Sequence, residues 1–212
     1  MSLYLPAAFA CHDRAAIARL IAEHPLASLI TSDGGELFVS HLPLLLVPDR
    51  EPHGTLVGHL ARANPHWQHF STGRSLAIFQ GPHHYVSPAW YVHPAAAVPT
   101  WNYAVVHCHG HPQTVEDQAE VDAILELSVR HFEDHQAQPW SPQLTSQELD
   151  ALRRAIVAFR IPVQSVEAKF KLSQNRSTAD QRRVTDALAR SESQEARALA
   201  AWMSAKPSSS EA

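Results

Sequence analysis

The chain has 212 residues, 45% hydrophobic and 18% charged, enough for one sizeable core. Its formal net charge of -4 excludes a global positive field that would draw it to nucleic acid or to an anionic membrane. Only Cys11 and Cys108 are present, with no CxxC pair, which excludes a zinc ribbon or disulfide framework and points to a reducing cytoplasm. The N-terminus lacks a basic stretch ahead of its alanines and leucines, and no apolar run approaches the ~20 residues that span a bilayer. The expectation is a cytoplasmic protein without membrane contact.

Asp13 caps a first helix whose Ile17, Leu20, Ile21 and His24 recur at helical spacing, and Pro25 stops it. Residues 26–47 form a hairpin about Ser32-Asp33-Gly34-Gly35, with Pro43 marking an edge or a bulge. After the polar loop 48–53, residues 54–61 give a third strand, and Asn64-Pro65 opens a short helix, PHWQHFS. Residues 75–80 form a strand to which Tyr85-Val86 adds a little; the prolines of FQGPHHYVSPAWYVHP (79–94) read as stops. In the next strand, 101–109, Tyr103, Val105 and His107 share one face and Ala104, Val106 and Cys108 the other.

Thr114 to Asp117 resembles a capping box and opens a long amphipathic helix that ends at Pro139 to Pro142. A short helix over 146–154, a long β-prone run over 156–172, a helix capped by Ser177 and a last helix around 196–203 follow. This order lacks regular βαβ alternation, so an antiparallel barrel or sandwich decorated by helices is expected.

The 15 histidines raise the question of a metal or haem. His107 and His109 form an HxH pair on one strand face, within reach of His111, but no HExxH and no carboxylate accompanies them, so they read as structural or ligand-lining. His66 and His69 flank Trp67 on the short helix and are expected on its partly exposed face. With seven glycines and neither a Walker A nor a GxGxxG, a phosphate would have to be held by side chains. Two stretches offer them. At 58–65 an arginine and an Asn cap stand where a strand enters a helix, and at 169–176 Lys169, Lys171 and Arg176 surround polar residues.

Five motifs in order, SHLPLLL (40–46), GHLARANPHW (58–67), FQGPHHYVSPAWY (79–91), VPTWNYAVVHCHG (98–110) and KFKLSQNR (169–176), resemble the PaiB-type family of FMN-binding negative transcriptional regulators. The resemblance covers nearly the whole chain. It implies a split β-barrel of the pyridoxamine-phosphate oxidase type decorated by helices, and a homodimer with FMN in clefts between subunits. It places the flavin phosphate on His59, Arg62 and Asn64 and runs Ser40, His41 and Pro43 along the flavin. Lys169 and Lys171 complete the expected anion set. Trp101, with Trp90, Tyr91 and Tyr103, would stack on the ring or pack against the other subunit; both readings remain open. No catalytic residue and no metal ligand is assigned.

The expected domains are a split barrel over 1–176 with a helical insertion at 114–154, C-terminal helices over 177–204 and a disordered tail over 205–212. The expected function is a dimeric FMN-binding protein with a regulatory or flavin-dependent redox role. Two alternatives stand beside it: a haem- or metal-binding barrel using His107 and His109 or His66 and His69, and a flavin-free repressor that binds DNA.

Overall fold

The computed structural model describes residues 3–48 and 53–205, and the tail expected at 205–212 lies outside them except for Ala205. Eight strands form one sheet whose hydrogen-bonded neighbours follow the order β2-β1-β5-β6-β8-β4-β3, with β7 paired to β8. They are β1 (Leu26–Asp33), β2 (Glu36–Pro43), β3 (Leu45–Val47), β4 (Thr55–Ala61), β5 (Arg74–Val86), β6 (Thr100–Gly110), β7 (Gln113–Thr114) and β8 (Ile156–Lys171). The helices are α1 (Arg14–Glu23), α2 (Gln118–Glu133), α3 (Ser146–Arg154), α4 (Thr178–Ala189) and α5 (Gln194–Ser204). This is the antiparallel split barrel with helices that the sequence leads one to expect. The chain divides into two compact units, one built from Pro25–Ile78 and Cys108–Val166, the other from the residues up to His24, Phe79–His107 and the residues from Glu167 onward.

In the Pro25–Ile78 unit the hairpin closes with Asp33 opposite Glu36, and Gly34 and Gly35 take φ of 57° and 90°. That conformation costs glycine little and other residues much, which is why the turn falls there. β1 alternates, burying Ala27, Leu29 and Thr31, while β2 buries Ser40 and Leu42 and turns His41 and Pro43 outward. β4 pairs with β8 from Thr55 opposite Pro162 to Ala61 opposite Ile156. At Gly58 a Cβ would stand 2.7 Å from Leu44 Cδ2 and 2.9 Å from the Pro43 carbonyl oxygen, so only glycine lets β4 pass this corner. α2 covers a cluster of Leu45, Val57, Val121, Ile124 and Ala158.

In the other unit Asp13 caps α1 by accepting from the Ala15 and Ala16 amides. Leu20, Ile21, Phe79, Val106, Leu188 and Leu199 are among its fully buried side chains. Trp202 of α5 meets the edge of Phe170 at 5.5 Å and donates from Nε1 to Glu23. β6 buries Asn102, Ala104 and Val106 here, and Cys108, the first residue of its continuation in the Pro25–Ile78 unit, keeps the alternation expected from the sequence.

Several expectations are corrected. Pro82 does not stop a strand: β5 continues through Gly81-Pro82-His83-His84 to Val86, and its pairing with β1 spans only Arg74 to Ile78, so the missing amide of Pro82 breaks no bond with β1. Thr114 pairs with Phe159 as part of β7, and α2 waits for its cap at Asp117. α2 ends at Glu133, before the prolines. The PHWQHFS helix is a 3-10 turn over Pro65–His69.

Candidate functional site

In the Pro25–Ile78 unit the junction between β4 and the 3-10 turn is held from within. Asn64 caps the turn: its Oδ1 accepts from the His66 amide, and its Nδ2 donates to Ser40 Oγ at 2.9 Å. Ser40 Oγ lies 2.8 Å from His66 Nδ1, His66 Nε2 lies 2.8 Å from Thr31 Oγ1, and Thr31 Oγ1 lies 2.7 Å from Ser75 Oγ. All four side chains are buried. The assignment that leaves the Ser40 and Thr31 protons used has Ser40 donating to Nδ1, Nε2–H donating to Thr31, and Thr31 donating to Ser75. Burial, then the neighbouring His69, pushes the His66 pKa below its ordinary 6.5, which suits the neutral ring this pattern requires. His66 was expected on a partly exposed face; the tighter 3-10 turn carries it inside instead. His69 pairs with Asp33 at 2.9 Å and stacks on Phe38 with ring centroids 3.5 Å apart.

Arg62 donates from Nε to the Arg154 carbonyl at 2.8 Å and from Nη2 to the Ile156 carbonyl at 2.7 Å, while its amide donates to the Ala155 carbonyl. It therefore closes the C-terminal end of α3, whose last carbonyls lack partners inside the helix. His59 is half-buried on β4 opposite Ala158 and lines a cavity shared with α2 and α3; burial lowers its pKa. His41 faces out and lies 3.0 Å from Ser28 Oγ, and Pro43 ends β2 exposed. Of the residues expected along the flavin and its phosphate, Ser40 and Asn64 thus come together, and they do so in a closed network.

The other unit gathers the cations. Lys169 is buried, donates from Nζ to the Tyr4 carbonyl at 2.9 Å and lies over the rings of Tyr4 and Tyr103. Lys171 Nζ donates to Thr100 Oγ1 and to the Trp101 carbonyl, which occupies two of its three N–H groups. Arg176 stands 4.7 Å over the Tyr91 ring. Between them Ser173 takes a left-handed φ of 65° and its Oγ accepts from Asn102. Burial first, then the charges of Lys169 and Arg176, hold the Lys171 pKa below its ordinary 10.5. Like charges gathered around a half-buried ammonium make a field that favours an anion. Beside it Trp101 is 53% exposed, with His83 and Tyr85 against its ring at 6.4 and 6.3 Å. The FQGPHHYVSPAWYVHP stretch is tied down here, the His83 amide donating to Glu195 and the Val92 amide to Asp180.

Comparison with known proteins decides the family. The family model described as "Putative FMN-binding domain" matches residues 3–165. A curated relative, the Bacillus subtilis protease synthase and sporulation protein PAI 2, is 33% identical over 210 residues, covering 96% of this chain and 98% of its own. The chain belongs to the PaiB-type FMN-binding family. Among solved structures, the FAD and haem binding protein of Mycobacterium smegmatis matches with a TM-score of 0.59 at 14% identity, over 76% of this chain and 73% of that one. The flavocytochrome Anf3 of Azotobacter vinelandii matches with a TM-score of 0.60 at 15% identity, over 76% and 69%. At such identities the likeness speaks for the fold.

The family model is that of a "Putative FMN-binding domain", and the donors present fit FMN unevenly. The β4 junction has spent the hydrogen bonds of Asn64 and most of the Arg62 fork on the protein itself. The Lys171 and Arg176 pair retains donors and an excess of positive charge, which suits a phosphate dianion. Among the described residues no group of three or more His, Cys, Asp or Glu side chains is placed to hold a metal ion, and both ring nitrogens of His66 are engaged. No helix among them is long and apolar enough to cross a membrane. Sequence reasoning missed His66, Thr31 and Ser75 as a unit. The available signal was Thr31 standing at an inward position of the β1 alternation.

Proposed function

We propose that this PaiB-type protein acts in the cytoplasm as a homodimeric regulator whose state follows bound FMN, with Lys171 and Arg176 receiving the phosphate and Trp101 lying against the ring. The observation that carries the reading is Lys171: a half-buried ammonium whose strongest electrostatic neighbours are two further cations. An arriving dianion relieves that repulsion and meets a third N–H whose direction is fixed by the two already given to Thr100 and Trp101. Arg176, held over Tyr91, adds a planar fork matched to phosphate oxygens.

When bound, FMN supplies reversible electron transfer at its ring, and the protein's part is orientation and local field. The exposed Trp101 and the partly exposed Tyr85 belong to the residue types enriched at protein interfaces, which supports pairing of two copies through this surface. The regulatory role draws on the sporulation function in the name of the Bacillus subtilis relative. The chain's acidic balance favours action through a protein contact over broad phosphate-backbone binding.

The test is a titration of the purified protein with FMN and with riboflavin, followed by flavin fluorescence, alongside mass determination in solution. Tight FMN binding, weak riboflavin binding and a dimer mass are expected. A colourless, monomeric protein indifferent to added FMN would overturn the reading, and a Soret band on addition of haem would redirect it to a haem protein.

A further inference from the structure

Between β4, α2 and α3 lies a half-open cavity of about 790 Å³, within the range of small-molecule sites. Its lining includes Leu125 and Val129 of α2, Ile156 at the start of β8 and the half-buried ring of His59. Its rim includes Trp140 and Leu152, each 56% exposed. α3 buries no residue at all, although Leu149 and Leu152 both line this cavity. Polar anchors hold it in place instead: a capping box at Thr145, a two-bond ion pair from Arg153 to Asp122 at 2.7 and 2.8 Å, and the Arg62 fork on the carbonyls of Arg154 and of Ile156 just beyond it. The helix is thus fixed beside apolar surface that it does not fill, and such surface marks a binding site when it is concave and rimmed by polar groups.

Charge narrows the occupant. Of the carboxylates at the cavity, Asp122 is matched by Arg153, and Glu126 lies 4.0 Å from Arg130. Glu133 and Asp134 stand at the C-terminal end of α2, where the helix dipole is itself negative, and among the described residues no ion pair to either is found. Glu133 accepts the backbone N–H of Trp140 at 2.7 Å, which fixes the indole-bearing segment at the negative end of the cavity. An aromatic face, a carboxylate and a helix C-terminus together favour a cation.

We infer that this cavity binds a hydrophobic amine, its apolar body against Leu125, Val129 and Trp140 and its ammonium toward Glu133 and Asp134. A flat protein surface would leave the concavity empty, and an anion would meet Glu133 and Asp134. The site lies wholly within the unit that holds Pro25–Ile78, and although His59 was expected at the flavin phosphate, none of Lys171, Arg176 and Trp101 lines it, so the two readings fail separately.

The experiment is calorimetric titration of the full chain with three naphthalene probes that differ only in the attached group: 1-naphthylmethylammonium, 1-naphthalenemethanol and 1-naphthalenesulfonate. The ammonium is expected to bind about tenfold more tightly than the sulfonate, with the alcohol between them. Leu152→Gln, at an exposed rim position, is expected to weaken all three, and Glu133→Gln to bring the ammonium to the level of the alcohol, both with an unchanged melting temperature. Equal affinity for the three probes, binding that ignores both substitutions, or no binding at all overturns the inference, and FMN titration of the same samples reports independently on the flavin site.

Discussion

Ser40 Oγ stands 2.8 Å from His66 Nδ1, joining the inward face of β2 to the 3-10 turn through two side chains that are 8% and 2% exposed. Because His66 also reaches Thr31, and Thr31 reaches Ser75, one imidazole bonds hydroxyls on two strands and is linked through Thr31 to a third. Replacing it takes one hydrogen-bond partner from each of two buried hydroxyls, Ser40 and Thr31, and empties the space of a buried ring, which costs about 2–4 kcal/mol. His66→Ala is therefore expected to lower the urea midpoint by that equivalent with an unchanged slope. A change under about 0.5 kcal/mol would show that the network contributes no stability.

The same ring sets a pH dependence. The folded-state pKa of His66 lies below its ordinary 6.5, so the unfolded chain takes up the proton first as pH falls. The contribution is complete above 6.5, declines below it, and is fully lost once pH passes below the depressed folded value. Burial lowers His59 and His24 as well, with the same sign. Unfolding midpoints measured from neutral to mildly acidic pH are expected to fall steadily, and His66→Gln should flatten the slope. A wild-type midpoint that rises on acidification contradicts the assignment.

Lys171→Met and Arg176→Ala are each expected to weaken FMN binding about tenfold or more, since each removes a charge-assisted contact. Riboflavin, which lacks the phosphate, should bind both variants as it binds the parent protein. Equal losses for the two flavins would mean that the substitutions disturb the ring site or the fold instead.

Arg62→Met should leave FMN affinity within about twofold while freeing α3, because its guanidinium serves the Arg154 and Ile156 carbonyls. Limited proteolysis between residues 134 and 154 reads that release as faster cleavage. A large loss of FMN affinity with cleavage unchanged would return the phosphate to the β4 junction.

The sheet was largely readable because its signals are local. The glycine pair closes a two-residue turn, the even positions from Asn102 to Cys108 go inward, and Asp13 and Ser177 cap the helices they precede. The candidate site was less so, because its meaning lies in distant partners. Arg62 beside an Asn cap looks like an anion site until the Arg154 carbonyl, 92 residues away in sequence, accepts from its Nε. His66 looked exposed because helical spacing was applied to a single 3-10 turn. Pro82 looked like a stop because proline's missing amide matters only where a neighbouring strand would have accepted it. The cationic stretch at Lys169 to Arg176 was visible, since three charges crowd eight residues, but the burial that perturbs Lys171 was not.

Lys171 grips Trp101 by its carbonyl, not by its ring. The ammonium keeps its anchor whatever side chain residue 101 bears, so the half-exposed indole can be exchanged for other aromatic, aliphatic or unnatural fluorescent groups without displacing the cation. Position 101 is thus a labelling site: a reporter side chain placed there leaves the backbone contact that holds the ammonium in place.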